Sequence, residues 1–246
     1  MGGLQTSADD YAKWVAYLLS AWPPRNGADA GPVRRSTVRE LAEGSNFPSL
    51  RKRSGKGGAS PCRLPSNYGM GMAVAIDCDL GLLLSHSGGY PGYGSHVLLL
   101  PNRGVGIFAF ANRTYAGPSA PVWDAAIALD KAGRLGQERK QPVSIELARA
   151  YRTLGAMYAS GSVAAGGDQL GMNFLLDRDA EHWAAKLAEL KANVGDCDTS
   201  APVMPTGALS GDFTWRCAHG RLGGSVSLTP TRSPQIQQWN IDQLSP

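Results

Sequence analysis

The stretch Ser85–Pro101, SHSGGYPGYGSHVLLLP, decides how this chain is read. Its second half, Ser95 to Leu100, is an apolar run of strand length. A turn, Pro101-Asn102-Arg103-Gly104, then leads into another apolar run, Val105 to Ala111. Its first half sets His86 beside Ser87, Gly88 and Gly89 at the end of a strand from Gly81. Connections this short join antiparallel neighbours. Val105 and Ile107 face one way and Phe108 and Phe110 the other, so the sheet needs cover on both sides and helices are expected there. An imidazole among residues small enough to let a ligand reach the backbone has the makings of an active-site wall.

Working outward, Tyr68 to Ile76 reads as one more strand, and Val122 to Lys131 as a covering helix. Near the start, Ser7-x-x-Asp10 has the form of a capping box. It opens a helix with Tyr11, Trp14, Val15, Leu18 and Leu19 at helical spacing, and Pro23-Pro24 ends it. A second helix fits Ser36 to Glu43. Residues 44–67, rich in Gly, Ser and Pro, read as a long surface loop. Charge and proline cluster near Gly136–Pro142, which places a boundary between domains 1–140 and 141–246. In the second domain one predicted helix carries Leu147, Tyr151, Leu154 and Tyr158, and another carries Trp183, Leu187, Leu190 and Val194. Strands follow: Asp212 to Cys217, a segment with Leu222, Val226 and Leu228 on one face, and Ile236 to Ile241. The fold class is α+β: an antiparallel sheet with helices on both faces, then a small helix-on-antiparallel-sheet domain.

Hydrophobic residues make up 43% of the chain and charged residues 18%, enough apolar material for a buried core. The net charge of +4 is mild. The basic run Arg51, Lys52, Arg53, Lys56 has no interleaved aromatics and reads as solvated, so no nucleic-acid partner is expected. No apolar stretch reaches membrane-spanning length, and the first residues lack the apolar core of a secretory signal, so neither a transmembrane segment nor a signal peptide is read in this chain. Cys62 and Cys78 bracket a short segment, as do Cys197 and Cys217. There is no C-x-x-C and no His at zinc spacing, so neither a metal nor another cofactor is expected. Two local disulfides are expected, with four buried thiols as the alternative. Disulfides belong to an oxidising compartment, hence to a periplasmic or secreted parent protein.

Four elements, in order, carry a family resemblance. They are Gly2-Gly3-Leu4 with Thr6-Ser7-Ala8 and its helix, Tyr68-Gly69-Met70-Gly71, His86-Ser87-Gly88-Gly89, and the apolar strand pair ending at Ala111-Asn112. Over residues 1–135 the chain resembles the C-terminal part of the serine β-lactamase and penicillin-binding-protein-like family, in the branch of class C β-lactamases, D-alanyl-D-alanine peptidases and related esterases. The resemblance implies acyl transfer on an amide or ester through a Ser acyl-enzyme. It makes His86-Ser87-Gly88 the third family motif. The Gly89 backbone N–H becomes an oxyanion donor. His86 orients substrate or helps proton transfer, and Ser87, Gly88, Tyr90 and Tyr93 line the substrate cleft. The implied substrate is a small molecule, peptide or ester.

The other two motifs are missing. Ser49 alone has Lys three positions on, Lys52, and its surroundings (Pro48, Arg51, Arg53, Ser54) mark a chance match. No Tyr-x-Asn, Ser-x-Asn or Gly-x-Ser-x-Gly occurs. The sequence therefore reads as the C-terminal fragment of a serine hydrolase, inactive alone, with an exposed apolar edge and face. Two rivals stand beside it: a split enzyme completed by a separate N-terminal polypeptide, and a non-catalytic module that binds a peptide or glycan. His96 reads as a packed residue, and His182 and His219 as surface groups.

Overall fold

A computed structural model describes residues 4–25, 27–29, 31–54 and 61–245. It divides into the units Met1–Lys140 and Gln141–Pro246. The Gly2-Gly3 element and residues 55–60, Lys56 included, lie outside the described residues.

In the first unit, helix α1 (Ala8–Leu19) and the single turn α2 (Arg35–Arg39) precede six antiparallel strands. The strands lie in chain order: β1 (Asn46–Ser54), β2 (Pro61–Tyr68), β3 (Ala73–Asp77), β4 (Gly81–Tyr90), β5 (Tyr93–Leu100) and β6 (Val105–Ala111). Helix α3 (Ser119–Lys131) follows. Ser7 opens α1 as its spacing predicts. Its Oγ accepts the Asp10 N–H at 3.1 Å and donates to the Asp10 carboxylate at 3.0 Å. Alternation along β5 then builds two cores. Val97 and Leu99 pack with Val15, Leu18 and Leu19 of α1. Leu98 and Leu100 pack with Val122 and Ala126 of α3. Helices thus cover both faces, and each fully buried leucine contributes about 2 kcal/mol. Gly106 lets α1 settle close, because a Cβ there would run into Val15.

Two sequence expectations are corrected. Residues 44–67 are not a long loop, since β1 and β2 pair from Asn46↔Tyr68 to Ser54↔Pro61. Proline suggested a loop, but β1 is an edge strand, where Pro48 removes no ladder bond that matters. At Pro65, β2 has only β1 beside it, because its pairing with β3 begins at Ser66. Likewise Tyr68–Ile76 is not one strand. It is the end of β2, a turn in which the Gly69 N–H donates to the Met72 carbonyl at 2.9 Å, and then β3. Gly71 takes φ +80° in that turn, a conformation that suits glycine. Of the basic run, Arg51, Lys52 and Arg53 sit on edge strand β1, with Arg51 and Lys52 exposed and Arg53 paired with Asp77. Charges on an edge discourage pairing with other chains.

In the second unit, α4 (Ile145–Ser160) and α5 (Ala180–Val194) pack on one face of an antiparallel sheet. Its strands are β7 (Cys197–Asp198), β8 (Met204–Gly207), β9 (Ser210–Cys217), β10 (Gly220–Leu228) and β11 (Ile236–Gln243), in the order β11-β10-β9-β7 with β8 beside β9. Leu147, Leu154 and Tyr158 of α4 and Trp183, Leu187 and Val194 of α5 meet Phe213, Trp215, Leu222 and Val226 in one core. The buried Trp215 N–H donates to the Tyr151 hydroxyl at 2.7 Å, and that hydroxyl donates to the Ala201 carbonyl at 2.6 Å. The cysteines pair as expected, Cys62 with Cys78 and Cys197 with Cys217. Among the described residues no helix is long and apolar enough to cross a membrane.

Candidate active site

Strand β4 outruns its neighbour. Its pairing with β3 stops at Ala73↔Ser85, while its pairing with β5 continues to Tyr90↔Tyr93. From His86 to Tyr90 one edge of β4 therefore has no partner strand among the described residues. Tyr90 and Tyr93 flank the two-residue turn Pro91-Gly92, and such a flanking pair exchanges both ladder bonds. Bonding alternates along an antiparallel pair, so the N–H groups of Gly89 and Ser87 turn toward the open edge.

A cavity of about 250 Å³ lies against this segment, walled by His86, Ser87 and Gly88 of β4, Ser95 of β5, Tyr11 of α1 and Met70 of the β2–β3 turn. Gly89, Tyr90 and Tyr93 are not in its wall. Both tyrosines stand exposed at the hairpin tip. The glycines are held by packing within the protein: a Cβ on Gly88 would meet the Ser95 hydroxyl, and one on Gly89 would come within 2.6 Å of the Tyr115 ring.

His86 is exposed, and its Nε2 lies 3.1 Å from the Tyr68 hydroxyl. That pair can hold or pass a proton at the cavity rim, with Tyr68 supplying the hydroxyl. Ser87 bonds elsewhere, its Oγ 2.7 Å from Nδ1 of His96. His96 is buried, and its Nε2 has no hydrogen-bond partner among the described residues. Burial pushes the His96 imidazole below its ordinary value, and the charge of His86 pushes the same way. His96 is thus a packed residue, and also the anchor of Ser87. Ser95 in the wall and Tyr68 beside His86 were not singled out as site residues; the signal for Tyr68 was its place at the head of Tyr68-Gly69-Met70-Gly71.

The family model described as Beta-lactamase matches residues 1–132. The chain belongs to the beta-lactamase family. No curated protein and no solved structure matches it.

In this beta-lactamase-family chain, the one serine followed by Lys three positions on does not lie on a helix. Ser49 and Lys52 lie on strand β1, where positions three apart point to opposite faces, so Lys52 cannot serve Ser49. The Ser49 hydroxyl bonds that of Ser66 at 2.7 Å. Cys62, Cys78 and Asp77 cluster closely enough to suggest a metal site, but both sulfurs are committed to the disulfide. His182 and His219 are exposed in the second unit of this family member, and His182 donates its backbone N–H to the α5 cap Asp179.

Proposed function

We propose that residues 1–140 are the strand-side half of a serine acyl-transfer site of the β-lactamase and penicillin-binding-protein type, from the branch of class C enzymes, D-alanyl-D-alanine peptidases and esterases. The observation that carries this reading is the unpaired edge of β4, which offers the Gly89 N–H beside His86 and a cavity. A carbonyl placed there would meet a fixed donor as negative charge develops on its oxygen, and losing such a donor typically costs about 3 kcal/mol. His86, with Tyr68 at its Nε2, would hold substrate or handle a proton. The substrate is an amide or ester, and the parent reaction runs through a Ser acyl-enzyme. This chain holds neither a helical Ser-x-x-Lys nor a Tyr-x-Asn, so we read it as a fragment without acyl-transfer activity of its own. The two disulfides support a periplasmic or secreted parent.

A second reading, a split enzyme, draws on the surface beside the cavity. Trp14, Met70 and Phe110 are exposed there, an apolar surface of the kind a completing polypeptide would cover. Incubation of the purified chain with a fluorescent penicillin and with a fluorophosphonate probe tests both. The fragment reading expects no covalent label, and a label on the chain alone sinks it. A label that appears only when a polypeptide carrying Ser-x-x-Lys is added favours the split enzyme.

A further inference from the structure

The second unit carries a charged row with no obvious structural purpose. Asp198 of β7 pairs with Arg216 of β9, and Arg216 pairs with Arg221 of β10, so three charged side chains cross the sheet in line. The helices cover the other face, where Phe213, Trp215 and Leu222 are buried, and the row itself is exposed. Like charges directly opposite one another in a sheet are unfavourable. Among the described residues neither guanidinium has a hydrogen bond or an ion pair, and Arg216 acts on Asp198 only through space. The Asp198 carboxylate is occupied by Ser200, whose N–H donates at 2.9 Å and whose hydroxyl donates at 2.6 Å. Those bonds and the charge of Arg216 hold Asp198 below the usual carboxylate range.

Over this row lies a cavity of about 470 Å³, lined by Asp198, Ala201, Thr214, Arg216 and Arg221. It is an open hollow, since Asp198, Thr214, Arg216 and Arg221 are all exposed. The Cys197–Cys217 disulfide sits one position from the row and ties β7 to β9, fixing the spacing of Asp198 and Arg216. Two guanidinium groups supply fork-shaped donor sets suited to planar oxyanions, and Thr214 adds a hydroxyl. With Asp198 ionised the row carries one net positive charge, which a monoanion neutralises and a dianion exceeds.

We propose that this cavity binds a carboxylate, carried by a small molecule or a peptide end that fills the remaining volume. The inference does not depend on the acyl-transfer reading of residues 1–140. It is tested by NMR titration of the full chain with N-acetylglycine, following the Thr214, Arg216 and Arg221 amides and the arginine Nε–H signals. Saturable shifts in the millimolar range are expected, with none from N-acetylglycinamide, which lacks the charge. Arg216→Gln and Arg221→Gln should each weaken binding by about tenfold or more. Asp198→Asn should tighten it, because a neighbouring negative charge is removed while the acceptor for Ser200 is kept. Both arginine variants should melt no lower than the parent. A response to inorganic phosphate that equals or exceeds that to N-acetylglycine overturns the carboxylate assignment. No saturable response to N-acetylglycine, or arginine variants that melt well below the parent, overturns the site.

Discussion

The guanidinium of Arg53 grips the carboxylate of Asp77, a side chain with no exposed surface, and so ties edge strand β1 to β3 across β2. The same carboxylate accepts the N–H groups of Asp79 and Leu80, each at 2.9 Å. Burial alone would push Asp77 up; Arg53 and the two N–H groups outweigh it and hold the carboxyl below its ordinary value. Its contribution to stability is therefore present above about pH 3.8 and lost as pH falls through the lower folded value. Asp77→Ala should cost about 2–3 kcal/mol in urea unfolding at neutral pH, because it strands two backbone donors and leaves Arg53 with Asp79 as its remaining carboxylate. The variant should also lose the part of the acid slope that Asp77 supplies.

His96 gives a pH dependence of opposite origin. Held low by burial and by His86, it stays neutral in the fold where an unfolded chain would already bind a proton. Stability should fall as pH drops below about 6.5, until the lower folded value is passed. His96→Gln can keep a bond to Ser87 but does not titrate. Melting temperatures between about pH 7 and 5 should vary less in this variant than in the parent; equal slopes would remove His96 from the account.

Two glycines of the β4–β5 hairpin should respond differently to alanine. A Cβ on Gly94 would run into the backbone of Ala116, whereas one on Gly89 meets only the exposed ring of Tyr115. Gly94→Ala should cost about 2–3 kcal/mol and Gly89→Ala under about 1 kcal/mol. Chemical denaturation of the two variants side by side decides it.

Cys62 and Cys78 are bonded across a sequence separation of 16. Replacing both with Ser should cost about 3 kcal/mol, chiefly by freeing the unfolded chain. Alkylation without reductant, read by mass spectrometry, should label none of the four cysteines.

The β4–β6 meander was legible because Leu83, Leu84 and Val97 to Leu100 form apolar runs too short for helices, with turn residues between them. Both helices of the second unit were legible for the complementary reason, as Trp183, Leu187, Leu190 and Val194 fall on one side of a 3.6-residue repeat. The β1–β2 hairpin was hidden because its stabilising contacts are made by polar groups. Arg53 reaches a carboxylate on β3, Ser49 bonds Ser66, and Cys62 bonds Cys78, and none of these leaves an apolar alternation to read. In the candidate site the His86 motif could be read from the local sequence. The Tyr68–His86 and Ser87–His96 pairs could not, since they depend on strand ends and register that local spacing does not encode.

The mismatch in length between β3 and β4 also works as a ruler. Five residues, His86 to Tyr90, extend past the last β3 pair, which at about 3.4 Å per residue leaves a slot about 17 Å long. An extended chain laid along that slot can pair with about five residues, between β3 at one end and the hairpin tip at the other. Whatever pairs with this edge is thereby limited to a short segment or the end of a longer one. A continuous strand of another protein would run into β3 at one end and lose its pairing at the hairpin tip.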